Sequence, residues 1–218
     1  MKKLIRFSAL LLLAFGPGRA FSQIVLGAKF TANHNWQKYA EGTNAANADL
    51  SVWGKGASVS ALYQLDDHFA IGVEPGLVQR GTKCEPGFIL PYPGDAKLVC
   101  NFVDLPIVAE VSWKVWRDRL LFFGKIGGGM SRLVSGYREI SSINPEVPVN
   151  RNDLVLDNEQ QLRRWEKGLQ GGVGLGVKAG PGYINFETRY YHGLTDANKF
   201  LTSKNRSLGY SLGYRIAL

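Results

Sequence analysis

The amino-acid sequence predicts an all-β protein in which eight antiparallel strands close into an up-and-down transmembrane β-barrel. Three observations lead to this prediction: apolar residues recur with a period of two, the connections alternate between long and short, and glycine is abundant. A period of two is typical of strands with one apolar face. Alternating loop length is typical of barrels that cross a membrane, whereas a soluble β-sandwich gives no reason for it.

The first 22 residues have the layout of a secretory signal peptide. A basic leader that ends at Arg6 precedes a short apolar run over residues 7–15, and the small-residue pattern Ala20-Phe21-Ser22 precedes Gln23. We therefore expect a signal peptide over residues 1–22, which is removed on export, and a single barrel domain over residues 23–218.

Export changes the meaning of the net charge. The chain carries 26 basic and 18 acidic residues, and four of the basic residues lie in the leader (Lys2, Lys3, Arg6 and Arg19). The remaining 22 basic residues against 18 acidic ones leave a net charge of +4. Nucleic-acid binding thereby loses its compositional support. A membrane-spanning helix is also excluded, because no stretch approaches the roughly 20 consecutive apolar residues that it needs.

Period-two alternation marks eight strands in the mature chain. The segments are residues 26–33, 53–65, 69–78, 102–113, 122–131, 169–178, 184–191 and 207–218. Their connections are long at 35–52, 81–101 and 138–167, short at 66–67, 116–119 and 180–182, and of medium length at 193–202. In outer-membrane barrels the short turns are periplasmic and the long loops are extracellular. We therefore expect periplasmic termini, four outward loops and insertion into a bacterial outer membrane.

One face of these strands is apolar, and the other carries charges among glycines and serines. On the apolar face, six aromatic residues are expected to form interfacial girdles: Trp53, Tyr63, Trp113, Tyr190, Tyr210 and Tyr214. A soluble barrel with a charged exterior is the alternative. Eight strands, however, leave a lumen wide enough only for side chains, and small residues suit such an interior. We therefore expect an interior charge network of Lys29, Glu74, Asp104, Glu110, Lys125, Lys178, Glu187, Arg189 and Arg215.

The mature chain has two cysteines, Cys84 and Cys100. In an exported chain the expected outcome is a disulfide, here closing a loop of about fifteen residues and worth about 3 kcal/mol. A metal site is not expected, because no histidine lies near these cysteines in the sequence.

Catalytic and cofactor-binding residues are not expected. The glycine runs at 124–129 and 171–176 lie inside period-two strands, whereas a dinucleotide-binding fingerprint opens a helix. His192, near Asp196 and Ser203, suggests a lipid hydrolase as one alternative function. The spacing matches no known nucleophile motif, and His192 falls on the apolar face.

Several segments resemble the PorT-like outer-membrane β-barrel proteins of the Bacteroidetes. They are the opening strand over residues 27–33, the central strand with Phe102, Asp104 and Pro106 at its aromatic, acidic and proline positions, the glycine-rich strand at 124–129, and the turn at 193–196. The resemblance implies an outer-membrane barrel with no assigned activity, and an accessory role in secretion or assembly as an alternative function. Leu218 stands where such barrels commonly have a terminal aromatic residue.

The first expectation for function is a non-enzymatic outer-membrane barrel with a side-chain-filled lumen. It would be a monomer surrounded by outer-membrane lipid, and its loops would contact other envelope proteins. Neither a cofactor nor nucleic acid is expected as a partner.

Overall fold

The described part of the chain consists almost entirely of β-strands. The computed structural model describes residues 24–39, 51–84, 94–142, 150–154, 162–197, 199 and 202–218, so the predicted signal peptide lies outside the described residues. The strands are β1 (Ile24–Tyr39), β2 (Val52–Gln64), β3 (Phe69–Val73), β4 (Gly76–Cys84), β5 (Gly94–Val115), β6 (Leu120–Ser142), β7 (Asn150–Asp153), β8 (Trp165–Ala179), β9 (Gly182–Gly193) and β10 (Ser203–Ala217). No helix long and apolar enough to cross a membrane occurs among these residues.

Antiparallel pairing closes the strands into a ring. Strand β1 pairs with β2 on one side and with β10 on the other, from Val25↔Ala217 to Tyr39↔Ser203. The ring continues through β9, β8, β6 and β5, and β5 returns to β2 through β3 and β4. Because β3 and β4 together form one wall strand and β7 pairs only with β6 outside the ring, the wall has eight strands. The predicted eight-stranded antiparallel barrel is confirmed.

The third wall strand, predicted as one segment over residues 69–78, is divided at Glu74 and Pro75. Pro75 and Pro106, on the facing strand, have no backbone N–H to donate, so the regular ladder is interrupted there. The backbone N–H of Glu74 instead donates to the carbonyl of Pro106 at 3.1 Å, and that of Val59 donates to the carbonyl of Pro75 at 3.0 Å. The side-chain alternation continues across the break, so Glu74 faces the lumen.

The barrel is polar inside and apolar outside. Among the described residues, 14 polar or charged side chains are buried, against 11 hydrophobic ones. Large apolar side chains stand on the outer face instead, including Phe30 at 77%, Ile126 at 70% and Val173 at 68% exposure. Such an outer face is stable in hydrocarbon and costly in water. The structure therefore favours the membrane barrel over the soluble alternative.

Glycine in the wall makes room for aromatic rings in the lumen. Gly174 on β8 lies opposite Phe123 on β6, and a Cβ at position 174 would overlap the Phe123 ring. Gly171, on the lipid-facing side of the same strand, has space for a Cβ, which would meet its nearest atom at 3.8 Å. The glycine run is thus a packing feature of a strand, and not a phosphate-binding loop.

The short turns lie together at one end of the barrel, which we call the short-turn end. In the turn between β2 and β3, the Asp66 carboxylate accepts the backbone N–H of His68 at 2.7 Å and of Phe69 at 2.8 Å. These hydrogen bonds stabilise the ionised form and lower the pKa of Asp66 below its usual value. The turn between β8 and β9 has Gly180 at φ 60°, a left-handed conformation that glycine adopts without strain.

At the opposite end, the long-loop end, several strands extend further than predicted. Strand β4 runs to Cys84, β5 begins at Gly94 and β6 continues to Ser142, so parts of the predicted loops 81–101 and 138–167 are paired strands. Polar residues interrupt the apolar alternation in these extensions, as in the pair of Lys97 with Glu139 at 3.3 Å. The apolar period therefore ends before the pairing does, which is why the prediction stopped short.

Candidate functional site

The lumen is filled by four layers of side chains. Near the short-turn end lies an apolar cluster of Leu62, Ala70 and Val108. Two ionic layers, described below, extend from the level of this cluster, where Glu110 lies opposite Ala70, toward the long-loop end. At the long-loop end, Cys100, Phe102 and Leu133 form an apolar cap. Every barrel strand contributes inward-facing residues, because side chains alternate along a strand.

The larger ionic layer, called the glutamate layer, is organised around Glu74 on the interrupted third wall strand. Its carboxylate lies 2.7 Å from Lys29 Nζ and 3.4 Å from Lys125 Nζ. Arg189 binds the same carboxylate through both terminal nitrogens, at 2.7 and 3.0 Å. Glu74 therefore pairs with three cations while its side chain is only 2% exposed.

Two further carboxylates complete the glutamate layer. Glu187 lies 2.9 Å from Lys29 Nζ, 3.7 Å from Lys125 Nζ, and within ion-pair distance of Arg189. Glu110 pairs with Arg215 at 2.7 Å and with Lys125 at 3.4 Å. The layer thus contains four cations and three carboxylates: Lys29, Lys125, Arg189, Arg215, Glu74, Glu110 and Glu187.

The second ionic layer, called the Arg80 layer, lies between the glutamate layer and the apolar cap. Arg80 pairs with Asp104 and lies 3.6 Å from Glu166. Its Nη1 donates to Ser131 Oγ at 3.1 Å. Its guanidinium stacks on the rings of Tyr191 at 3.9 Å and Phe102 at 5.1 Å, an arrangement that arginine favours.

The two layers together are electrically balanced. The glutamate layer has one more cation than it has carboxylates, and the Arg80 layer has two carboxylates for one cation. When all groups are ionised, five positive charges face five negative ones. Unpaired charges in such an interior would be very costly, so this balance is what a stable filled lumen requires.

A cavity of about 70 Å³ separates the two ionic layers. Polar atoms without a hydrogen-bond partner in the described chain line it, among them Asn33 Nδ2, Arg80 Nε, Asp104 Oδ1 and Gln170 Nε2. A space of this size, with several polar partners, suits about two water molecules. It is too small for an organic substrate.

The structure brings most of the predicted network together. Seven of the nine predicted residues form the glutamate layer, and Asp104 belongs to the Arg80 layer. Lys178 does not join them, because it is exposed at the short-turn end of β8. Sequence reasoning missed Arg80 and Glu166, which flank the ends of the predicted strands and continue their inward alternation.

The strand register argues against the predicted disulfide between Cys84 and Cys100. Cys84 lies opposite Ala96, whereas Cys100 lies opposite Arg80. The two positions are offset by four residues, about 13 Å along the strands. Disulfides require Cα atoms within about 7 Å, so this disulfide would need a shifted register.

The residues of the hydrolase alternative are not arranged for catalysis. His192 faces outward on β9, opposite Arg206, and its ring lies 6.4 Å from that of Tyr190. Ser203 is fully buried on the inward face of β10. A nucleophile and its base must lie within hydrogen-bond reach, and opposite faces of the wall do not permit this. Among the described residues, no group of acidic, histidine and cysteine side chains could hold a metal ion.

The closed ring, apolar exterior and charged interior define a membrane-spanning β-barrel. Residues 14–199 match the sequence profile of the family described as outer membrane protein beta-barrel domain. The match covers most of the chain, which therefore belongs to this family and to the bacterial outer membrane. The narrower PorT-like resemblance stays a prediction.

Solved barrels of several kinds are similar to this chain. Neisserial surface protein A is 12% identical, with 88% of this chain and 96% of that one covered and a TM-score of 0.44. OprG of Pseudomonas aeruginosa is 11% identical, with 92% and 98% covered and a TM-score of 0.46. The outer membrane protease OmpT of Escherichia coli is 9% identical, with 90% and 96% covered and a TM-score of 0.39. No curated protein matches the sequence. These distant likenesses carry no activity over to this chain.

Proposed function

We propose that this protein is a non-conducting outer-membrane barrel that acts through the surface at its long-loop end. The observation that carries the proposal is the filled lumen, which contains an apolar cluster, two ionic layers whose charges balance when taken together, and an apolar cap. An eight-stranded barrel has room for such side chains and for little else. Opening a path for solutes would separate buried ion pairs, which is costly.

The long-loop end offers a built surface for an interaction partner. Pairing of β6 with β8 ends at Arg132↔Trp165, but β6 continues to pair with β5 as far as Gly94↔Ser142. Residues 134–142 of β6 therefore extend about 30 Å along the strand beyond its pairing with β8. Strand β7 adds to this extension at Tyr137↔Asp153. A paired extension positions its side chains more firmly than an isolated loop does.

The proposed partners are other envelope proteins. The proposal includes a monomeric barrel, and export with residues 1–22 as a cleaved signal peptide. Strand β7 supports this role because Arg151, Asn152 and Asp153 are all exposed. An exposed strand with free backbone groups is a ready site for pairing with another chain.

Site-specific photo-cross-linking in intact cells tests the proposal. A photoreactive residue at Asn152 on β7 should form adducts with defined envelope proteins. The same residue at Asp67, exposed in the turn between β2 and β3, is the matched control at the other end and should not form those adducts. Identical adducts at both positions, or none at Asn152, would contradict a partner-binding surface at the long-loop end.

A further inference from the structure

Among the described side chains of the wall strands, the charged ones on the outer face are confined to the long-loop end. Every wall strand carries a basic residue or a histidine with outward register there, as follows: His34 and Lys38 on β1, Lys55 on β2, Lys83 on β4, Lys97 on β5, Arg132 on β6, Lys167 on β8, His192 on β9, and Lys204 and Arg206 on β10. Among the described side chains of the wall strands, Glu139 is the one carboxylate with outward register, and it pairs with Lys97. At the short-turn end, the outward residues of the strands are uncharged.

The densest part of this band is a patch on β1, β10 and β9, which we call the basic–aromatic cluster: Trp36, Lys38, His192, Lys204 and Arg206. In the register, Arg206 lies between Trp36 and His192, and Lys38 lies directly opposite Lys204. Like charges directly opposite each other on paired strands are destabilising. No carboxylate of the described chain pairs with any of these three cations, and Arg206 Nε is desolvated without a hydrogen-bond partner.

Aromatic rings place the cluster at the level of lipid headgroups. The Trp36 ring lies 6.2 Å from that of Tyr190, and His34 lies 5.2 Å from the exposed Trp53. Tryptophan and tyrosine concentrate at the boundary between hydrocarbon and headgroups. Below the rings the same outer face is apolar, with Tyr210 40% exposed and Leu212 61% exposed.

We propose that the basic–aromatic cluster binds the phosphate-bearing headgroup of an anionic membrane lipid. An arginine fork and two lysines supply the charge-assisted donors that a phosphate accepts, and bound phosphate relieves the repulsion between Lys38 and Lys204. The apolar strip beneath the cluster contacts the acyl chains. This continuity selects a lipid over a free anion, because a free anion would leave the strip unused. The inference depends on the membrane location and is independent of the proposed loop partner.

Native mass spectrometry of the detergent-solubilised full chain tests the proposal, with phosphatidylglycerol and phosphatidylcholine of identical acyl chains as the probes. The wild-type barrel should retain phosphatidylglycerol roughly tenfold better than phosphatidylcholine, given the attraction of each basic residue for an anionic surface. The variant with Lys38→Gln, Lys204→Gln and Arg206→Gln should lose this preference. Inorganic phosphate at the lipid's concentration should not displace the bound lipid.

A control variant carries Lys114→Gln, Arg119→Gln and Lys178→Gln, which remove the same charges from exposed positions at the short-turn end. This control should keep the lipid preference. Heat-modifiable migration verifies that both variants are folded, and the single variant Lys204→Gln, with a partial loss expected, replaces the triple variant if that one does not fold. Any of three results would overturn the proposal. The wild type could retain the two lipids equally, the cluster and control variants could lose the lipid preference equally, or inorganic phosphate could displace the bound lipid.

Discussion

Replacing Glu74 with glutamine should lower the free energy of unfolding by about 3–5 kcal/mol, the usual cost of removing one partner from a buried ion pair. Glutamine has nearly the same shape as glutamate, so the change removes the charge and leaves the packing in place. Three cations then lose their shared carboxylate: Lys29, Lys125 and Arg189. The glutamate layer is left with four cations and two carboxylates.

Equilibrium unfolding in urea, with the barrel in lipid vesicles and tryptophan fluorescence as the signal, measures this loss. Glu139→Gln is the matched control, because it removes a carboxylate from an ion pair near the surface. In that pair the side chain of Glu139 is 27% exposed and that of Lys97 is 34% exposed. Exposed pairs contribute at most about 1 kcal/mol. Equal losses in the two variants would show that the charges in the lumen are not tightly paired.

Replacing Arg80 with methionine should be similarly destabilising, by about 3–5 kcal/mol. Methionine fills much of the arginine's volume, but it leaves Asp104 and Glu166 as neighbouring buried carboxylates without their cation. Stacking of the guanidinium on Tyr191 is also lost. The same unfolding measurement applies.

A compensating variant separates the effect of charge from the effect of packing. Adding Asp104→Asn and Glu166→Gln to Arg80→Met removes both orphaned charges and keeps their shapes. Most of the lost stability should return, because an ion-pair group replaced as a whole by neutral residues is often close to neutral in stability. A triple variant no more stable than Arg80→Met would attribute the loss to packing instead.

The fold could be predicted because its dominant determinant is local. A side chain's face follows from its position along the strand, so the alternation around Phe30 or Leu212 identifies outer and inner faces without knowledge of the pairing. The alternation of long and short connections is typical of membrane barrels, and it therefore predicted that the strands close into a ring. The break at Pro75 was not predicted, because it depends on Pro106 facing it from another strand.

The charge network could be predicted only in part, since alternation gives the face of a residue but not its depth. Lys178 has inward register, yet it lies at the end of β8, where its ammonium is exposed. Arg80 and Glu166 have inward register as well, but they lie outside the predicted strand ends. Continuing the alternation from Gly76 through Val78 would have placed Arg80 in the lumen.

The cysteine prediction shows a different limit. Two cysteines in an exported chain favour a disulfide on general grounds, and both flank a predicted loop. Whether they meet depends on the register between β4 and β5, which puts Cys100 opposite Arg80. Register is a property of two strands, and the sequence of neither strand alone contains it.

Single-channel recording of the purified full-length protein in a planar lipid bilayer tests the central claim most directly, namely that ionic layers and an apolar cap close the lumen. Heat-modifiable migration of the same sample verifies that the barrel is folded. We expect no steady conductance of porin size, because Glu74 and Arg80 hold charged side chains across the lumen. A steady open-channel conductance from the folded wild-type barrel would contradict the account.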